Sequence, residues 1–178
     1  SRMLAEESLS DYALGLKRDS LALSFRLLLE DNCSIKECKV FKTKVNVECI
    51  TYEDADQKKD SPELKPLFEI ARKNIIRRNS QGAVNINLPE VHITVDPDTK
   101  KVSICKITEY ESADVVREMM LLAGEGAAHF AFENNIAFPY VSQEAPDIPQ
   151  TLPPGLAGEF KTVKSMHRRS VGVTPAAH

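Results

Sequence analysis

From Ser20 to Leu29 every second position is apolar: Leu21, Leu23, Phe25, Leu27 and Leu29 alternate with Ala22, Ser24, Arg26 and Leu28. That period of two predicts a strand with one face in a core. Glu30, Asp31 and Asn32 form a polar reversal, and the valine- and isoleucine-rich run from Ile35 to Ile50 predicts one or two returning strands. After Asp60 the period changes. Leu67, Phe68, Ala71, Ile75 and Ile76 fall on one side and Arg72, Lys73, Arg77 and Arg78 near the other, which predicts an amphipathic helix. A proline well inside a helix clashes with the preceding turn, so the helix is expected to begin near Pro66 rather than Pro62, and Gly82 ends it.

Alternation returns between Ala83 and Ile107, with Asp96-Pro97-Asp98-Thr99 as a turn, and predicts two or three antiparallel strands. Ser112 is the expected N-cap of the longest helix, whose apolar positions run from Val115 to Phe132. Gly124 and Gly126 inside it each cost about 1 kcal/mol relative to alanine, so another backbone is expected to pack closely there. Beyond Asn135 the prolines at 139, 146, 149, 153 and 154 predict an irregular crossing before a further segment near Gly155. The expected fold class is α+β: antiparallel or mixed strands with two or more packed helices, one of them long.

At 178 residues and 42% hydrophobic, the chain can bury one core. A formal net charge of -3 excludes a surface that is electropositive throughout, so any nucleic-acid contact must be local. Cys33, Cys38, Cys49 and Cys105 show neither CxxC spacing nor a histidine at zinc-finger distance, and they are expected to be buried free thiols. No apolar run approaches the roughly 20 residues that cross a bilayer, and no membrane association is expected.

Five stretches, in one order, resemble the RNB catalytic domain of the ribonuclease II/R exoribonucleases. Ser20-Leu21-Ala22-Leu23-Ser24-Phe25 is similar to its R-x-A-L-S-F strand, and Thr51-Tyr52-Glu53-Asp54-Ala55 to its L-T-Y-E-E-A stretch. Arg77-Arg78 through Gly82-Ala83, then Leu88-Pro89-Glu90, resemble R-R-x-x-x-G-A … L-P-E. Ser112 to Ala123 resembles the S-x-x-L-V-E-E-x-M-L-L-A-N helix, and Arg168-Arg169-Ser170 to Thr174-Pro175-Ala176-Ala177-His178 resembles R-x-x-x-S-x-x-P-x-P-H. The wording Pro-Ala-Ala-His leans towards organellar members, fungal mitochondrial ones above all.

The resemblance implies that residues 1–178 are the central part of such a domain, cut on both sides. It implies a parent that hydrolyses single-stranded RNA processively from 3′ to 5′, releasing nucleoside monophosphates. The family's D-I-D-D-A aspartates, which hold the Mg2+ ions that activate water, would lie before Ser1, and its S-P-L-R-R-Y motif after His178. No catalytic or metal-binding residue is therefore expected within the segment, which is not expected to cleave RNA alone. Single-stranded RNA is the implied partner, with a helicase or degradosome-type protein as a further one and the mitochondrion as the implied compartment. Two other readings compete: a catalytically inactive RNA-binding or scaffold member, and a purely structural side of the domain.

The same resemblance singles out RNA-binding residues. Glu118 aligns with the second glutamate of V-E-E-x-M, implying a carboxylate near the ribose of the 3′-terminal nucleotides that could accept a bond from a 2′-hydroxyl; the alternative is one solvated charge on a helix face. Arg117 stands where many members have glutamate, and Gly124 where many have asparagine. Tyr52 is implied to lie along the RNA path, where a ring can stack on a base, against the alternative of a half-buried tyrosine at a strand end. Arg168 and Arg169 concentrate positive charge with Lys161, Lys164 and His167 and could meet phosphate, or could simply be solvated. The face made by Arg72, Lys73, Arg77 and Arg78 is expected to be solvated. His92, His129 and His178 are not expected to be catalytic.

Overall fold

The computed structural model describes residues 5–86, 88, 90–149 and 151–176. Its elements are α1 (Glu6–Tyr12), β1 (Ser20–Leu29), β2 (Ile35–Val45), α2 (Tyr52–Gln57), α3 (Lys65–Ser80), β3 (Val91–Val95), β4 (Val102–Lys106), α4 (Glu111–Glu133), β5 (Tyr140–Ser142), α5 (Leu156–Lys164) and β6 (Ser170–Gly172). The strands form three two-stranded antiparallel sheets, β1-β2, β3-β4 and β5-β6. The fold is α+β, with α4 as its long central helix.

The first hairpin follows the alternating pattern, with β1 covering the predicted residues. Its reversal is closed by bonds from the Cys33 amide to the Glu30 carbonyl and from the Glu30 amide to the Ser34 carbonyl, both 2.9 Å. Cys33 takes a positive φ of 65°. The buried face changes partway along β1. Ser20, Ala22 and Ser24 are covered at one end, and Phe25, Leu27 and Leu29 at the other, while Leu21 and Leu23 stay exposed opposite Lys44 and Lys42. Only the distal half of the hairpin therefore puts its leucines against α4. β2 stops at Val45, and residues 46–50 form no strand, contrary to the expectation of pairing to Ile50.

Helix α3 begins at Lys65 with Pro66 in its first turn, and Gly82 follows its end at φ 94°. Both boundaries obey the rules read from the sequence. Phe68 and Ala71 of α3 meet Val115 of α4, with Leu64 and Met119 around them, as the main apolar cluster. Between these helices β3 and β4 form the second hairpin. Its turn is held by Asp96, whose Oδ1 accepts from the amides of Asp98 (3.0 Å) and Thr99 (2.7 Å). Val91, Ile93, Val95, Val102 and Ile104 lie on one face of this ribbon and all remain exposed. Residues 83–86 and Leu88, where a third strand was a possibility, form none; Asn87 and Pro89 lie outside the described residues.

The C-terminal part departs most from the irregular crossing expected. Tyr140–Ser142 pairs with Ser170–Gly172, and Gln143 Nε2 donates to the His167 carbonyl at 2.6 Å. A short sheet thus closes a loop that carries α5. The expectation of four buried thiols is also corrected: Cys33 is buried and Cys38 half-buried, but Cys49 and Cys105 are exposed. Cys105 lies on a ribbon whose two strands are exposed along their whole length.

The two glycines of α4 separate. A Cβ on Gly126 would come within 2.6 Å of Leu27 Cδ2 and 3.1 Å of Cys38 Sγ, so the helix approaches the first hairpin at the distance of a bare backbone. Gly124 meets nothing within 4 Å, and no close packing explains it. Gly124→Ala should stabilise the protein by up to about 1 kcal/mol through helix propensity, and Gly126→Ala should be less stable than Gly124→Ala by about 1–3 kcal/mol, because crowding of the Leu27 and Cys38 side chains offsets the same gain. Urea unfolding of the two variants checks the difference.

Candidate nucleic-acid interface

Helices α3 and α4 are joined by buried polar groups as well as by apolar ones. Asn74 and Glu118 are both 0% exposed. Asn74 Nδ2 donates to Glu118 Oε2 at 2.8 Å, and Arg78 Nη1 donates to Glu118 Oε1 at 2.9 Å. Arg117 Nε reaches the same Oε1 at 3.4 Å. The other side of Asn74 is also used, its Oδ1 accepting from Arg77 Nε (3.0 Å) and Nη2 (2.9 Å). Arg77 then forms a two-pronged pair with Glu125, at 3.0 and 2.6 Å. Among the described residues no buried side-chain polar atom lacks a partner, which is the condition for such a network to be stable.

This placement answers both alternatives for Glu118. Its carboxylate is neither solvated nor open to a ribose, because both oxygens are occupied inside the helix interface. The basic face of α3 divides, with Arg72 and Lys73 exposed as expected and Arg77 and Arg78 half-buried. Arg72 Nε donates to Glu111 Oε1 at 2.9 Å, and Arg77 and Arg78 are tied to α4. Sequence periodicity put the arginines near the polar side of α3, but it could not see that the facing helix carries Glu111, Glu118 and Glu125 at spacings that receive them.

A second junction lies at the start of α4. The residue preceding the helix is Tyr110, not Ser112, and its side chain makes no cap. Asp56 of α2 supplies the cap instead: its two carboxylate oxygens accept from the backbone N–H of Glu111 (3.0 Å) and Ser112 (2.7 Å). Ser112 Oγ donates in turn to the Tyr52 carbonyl at 2.8 Å. Burial works against the charge on Asp56, but the bonds from Ser112 and Glu111, with Lys59 nearby, outweigh it and hold the carboxyl below the usual aspartate range. Hydrogen bonding to Arg72, against some burial, and then to Lys59 keeps Glu111 below the ordinary glutamate value as well.

Tyr52 stands at this junction. It is the first residue of α2, not the end of a strand, because Thr51 caps a helix there by accepting from the Asp54 amide at 3.1 Å. The Thr51-x-x-Asp54 spacing is a helix-start signal that the sequence itself carries. Tyr52 is 48% exposed, and its ring stacks on that of Tyr110, with centroids 6.3 Å apart and planes at 25°. No local sequence pattern marks Tyr110; only the fold sets it beside Tyr52.

Arg168 and Arg169 lie in the connection between α5 and β6, both exposed. Neither forms an ion pair among the described residues, while the adjacent His167 meets Asp147 at 3.3 Å. A cleft of about 600 Å3 runs along α4 between α3 and β5, lined by Arg77, Arg78, His129, Phe138, Tyr140 and Pro175 among others. His178 lies outside the described residues. Among the described residues no three His, Cys, Asp or Glu side chains converge as a metal site would require. No described helix is long and apolar enough to cross a membrane.

The RNB domain model matches residues 1–151. A ribonuclease of Synechocystis, itself uncharacterized, is 36% identical over 169 residues, covering 89% of this chain and 25% of its own length. Among solved structures, Mycoplasma genitalium RNase R in complex with ribose-methylated single-stranded RNA superposes with a TM-score of 0.68 at 15% identity, over 90% of this chain and 32% of that one. The Dss1 exoribonuclease of Candida glabrata, in an active-site mutant form, gives 0.59 at 17% identity, over 88% of this chain and 24% of that one. At these identities the solved structures show a shared fold.

The chain belongs to the RNB-domain family. It spans about a quarter of the length of the curated relative that it matches.

Two outcomes follow from the junctions. Glu118→Ala leaves Arg78 and Asn74 without their buried acceptor and should cost about 3–5 kcal/mol in thermal or urea unfolding. For Asp56, folding lowers the pKa, so its stabilisation is complete above the unfolded value of about 4 and is lost as pH falls through the folded value. Asp56→Asn, with one oxygen left to accept the two amide bonds, should thus be less stable than the parent by about 1 kcal/mol at pH 7, with the gap closing towards pH 2. An equal gap at both ends of that range would refute an ionised cap.

Proposed function

We propose that this chain forms the RNA-holding side of a 3′-to-5′ exoribonuclease that degrades single-stranded RNA to nucleoside monophosphates. The observation that carries the reading is the RNB-domain match across residues 1–151; the shared fold with an RNase R solved on single-stranded RNA supports it. In this reading Tyr52, Arg168 and Arg169 touch RNA directly, the first by stacking and the arginines by phosphate contact. Glu118 contributes through Arg78, which it fixes at the edge of the α4 cleft. A divalent metal, Mg2+, supplies the activated water and the charge stabilisation of phosphodiester hydrolysis, bound by residues other than those described here. The organellar flavour of the terminal motif supports a mitochondrial placement, and a helicase-type protein is the proposed companion.

The test uses the full-length protein. A 5′-labelled single-stranded RNA should shorten from its 3′ end and yield nucleoside monophosphates by mass spectrometry, with activity lost on chelation and restored by Mg2+. The DNA oligonucleotide of the same sequence should persist. RNA that is bound, with affinity falling as salt rises, but never shortened would instead make the protein an inactive RNA-binding member of the family.

A further inference from the structure

We propose that Tyr110 joins Tyr52 in a two-ring platform that stacks an unpaired nucleobase, and that Asp56 is the residue that positions the pair. The proposal rests on the RNA-binding reading above and adds to it a residue that the family motifs do not pick out. Tyr52 opens α2 and Tyr110 precedes α4, so the two rings come from segments 58 residues apart and meet because the two helix starts are fastened together. The fastening is made of three bonds: Glu111 and Ser112 amides to Asp56, and Ser112 Oγ to the Tyr52 carbonyl, at 3.0, 2.7 and 2.8 Å. The backbones beneath both rings are therefore fixed before any ligand arrives, which lowers the ordering cost of binding.

The pair is not a closed core contact. Tyr52 keeps 48% of its surface exposed, and the half-buried Tyr110 stacks against its ring from within the fold. Its surroundings decide what that face can hold. Glu53, Asp54, Asp56, Glu111 and Asp114 outnumber Lys59, Arg72 and Arg117, and these cations are drawn to Glu111 and Asp114. A phosphate gains little there, whereas a neutral base presents a π-face to any ring. The platform thus grips a base and leaves the phosphates to other cations, so its loss should weaken binding without changing the salt slope.

The experiment uses the full-length protein under chelation, with fluorescein-labelled single-stranded RNA read by anisotropy and 2-aminopurine placed at successive positions as a stacking reporter. The expected result for Tyr110→Leu, which keeps apolar bulk without a ring that stacks, is about fivefold or greater weakening. The log-log salt slope should stay unchanged, and one quenched 2-aminopurine position should brighten. Tyr110→Phe should stay within about twofold and keep the quench. Asp56→Asn should brighten the same position as Tyr110→Leu, although it removes no ring. Unaltered affinity and quench in Tyr110→Leu, beside a loss in Tyr52→Ala, would overturn the platform while leaving the RNA-binding reading intact. A parent protein that binds no single-stranded RNA would overturn both.

Discussion

A buried carboxylate that cannot be left alone organises this structure. Glu118 is withdrawn from water on α4, and an unpaired charge in that position is among the costliest defects a small core can contain. Asn74 and Arg78 of α3 resolve it, and Asn74 passes the constraint on to Arg77, which engages Glu125 about two turns further along α4. The apolar cluster beside them is small, made of Phe68, Ala71 and Val115 with two half-buried neighbours. Such a cluster gives burial but little register, since similar apolar side chains can slide past one another. The hydrogen-bonded chain from Glu118 to Glu125 does not tolerate sliding, so it is the polar network that sets how α3 lies on α4, and hence where the adjoining cleft opens.

The start of α4 obeys the same logic. A helix N-terminus presents unpaired amides that need acceptors, and here the acceptor belongs to another helix. The consequence is that α2, only six residues long, is held in place by its service to α4. Tyr52 and Tyr110 are carried along by that arrangement, which turns a capping requirement into a way of setting two aromatic rings side by side.

What could be read from the sequence follows the range of the forces involved. Strand β1, the turn at Asp96 and the ends of α3 are decided by neighbours within a few residues, and each appears where alternation, proline and glycine indicated. Gly126 was legible too, as a helix glycine that needed a reason, and Leu27 supplies it; Gly124 carries the same signature without the cause. The losses all involve distant partners. Ser112 looked like a cap because Asp56 is 56 residues away in sequence. Glu118 looked like a surface charge or a ribose contact because Asn74 and Arg78 are on another helix. The β5-β6 pairing joins segments on either side of α5, and three-residue strands leave no period to detect. Of the site residues, Tyr52 and the Arg168–Arg169 pair lie at the surface, as an RNA contact requires, while Glu118 lies beneath it.

The chain between Asp56 and Glu111 contains the whole β3-β4 ribbon, whose two strands pair with each other and whose apolar face is uncovered. Within that span the ribbon hangs between α3 and α4, whose contacts through Arg78 and Glu118 hold its two ends, and closing a loop becomes costlier only slowly as it lengthens, by about 0.6 kcal/mol for each doubling. The tip of the ribbon is therefore a place where evolution can lengthen, shorten or replace sequence with little penalty to the helices at its base. Divergence in this part of the domain can accumulate at the turn after Val95 while the two ends of the excursion stay locked together.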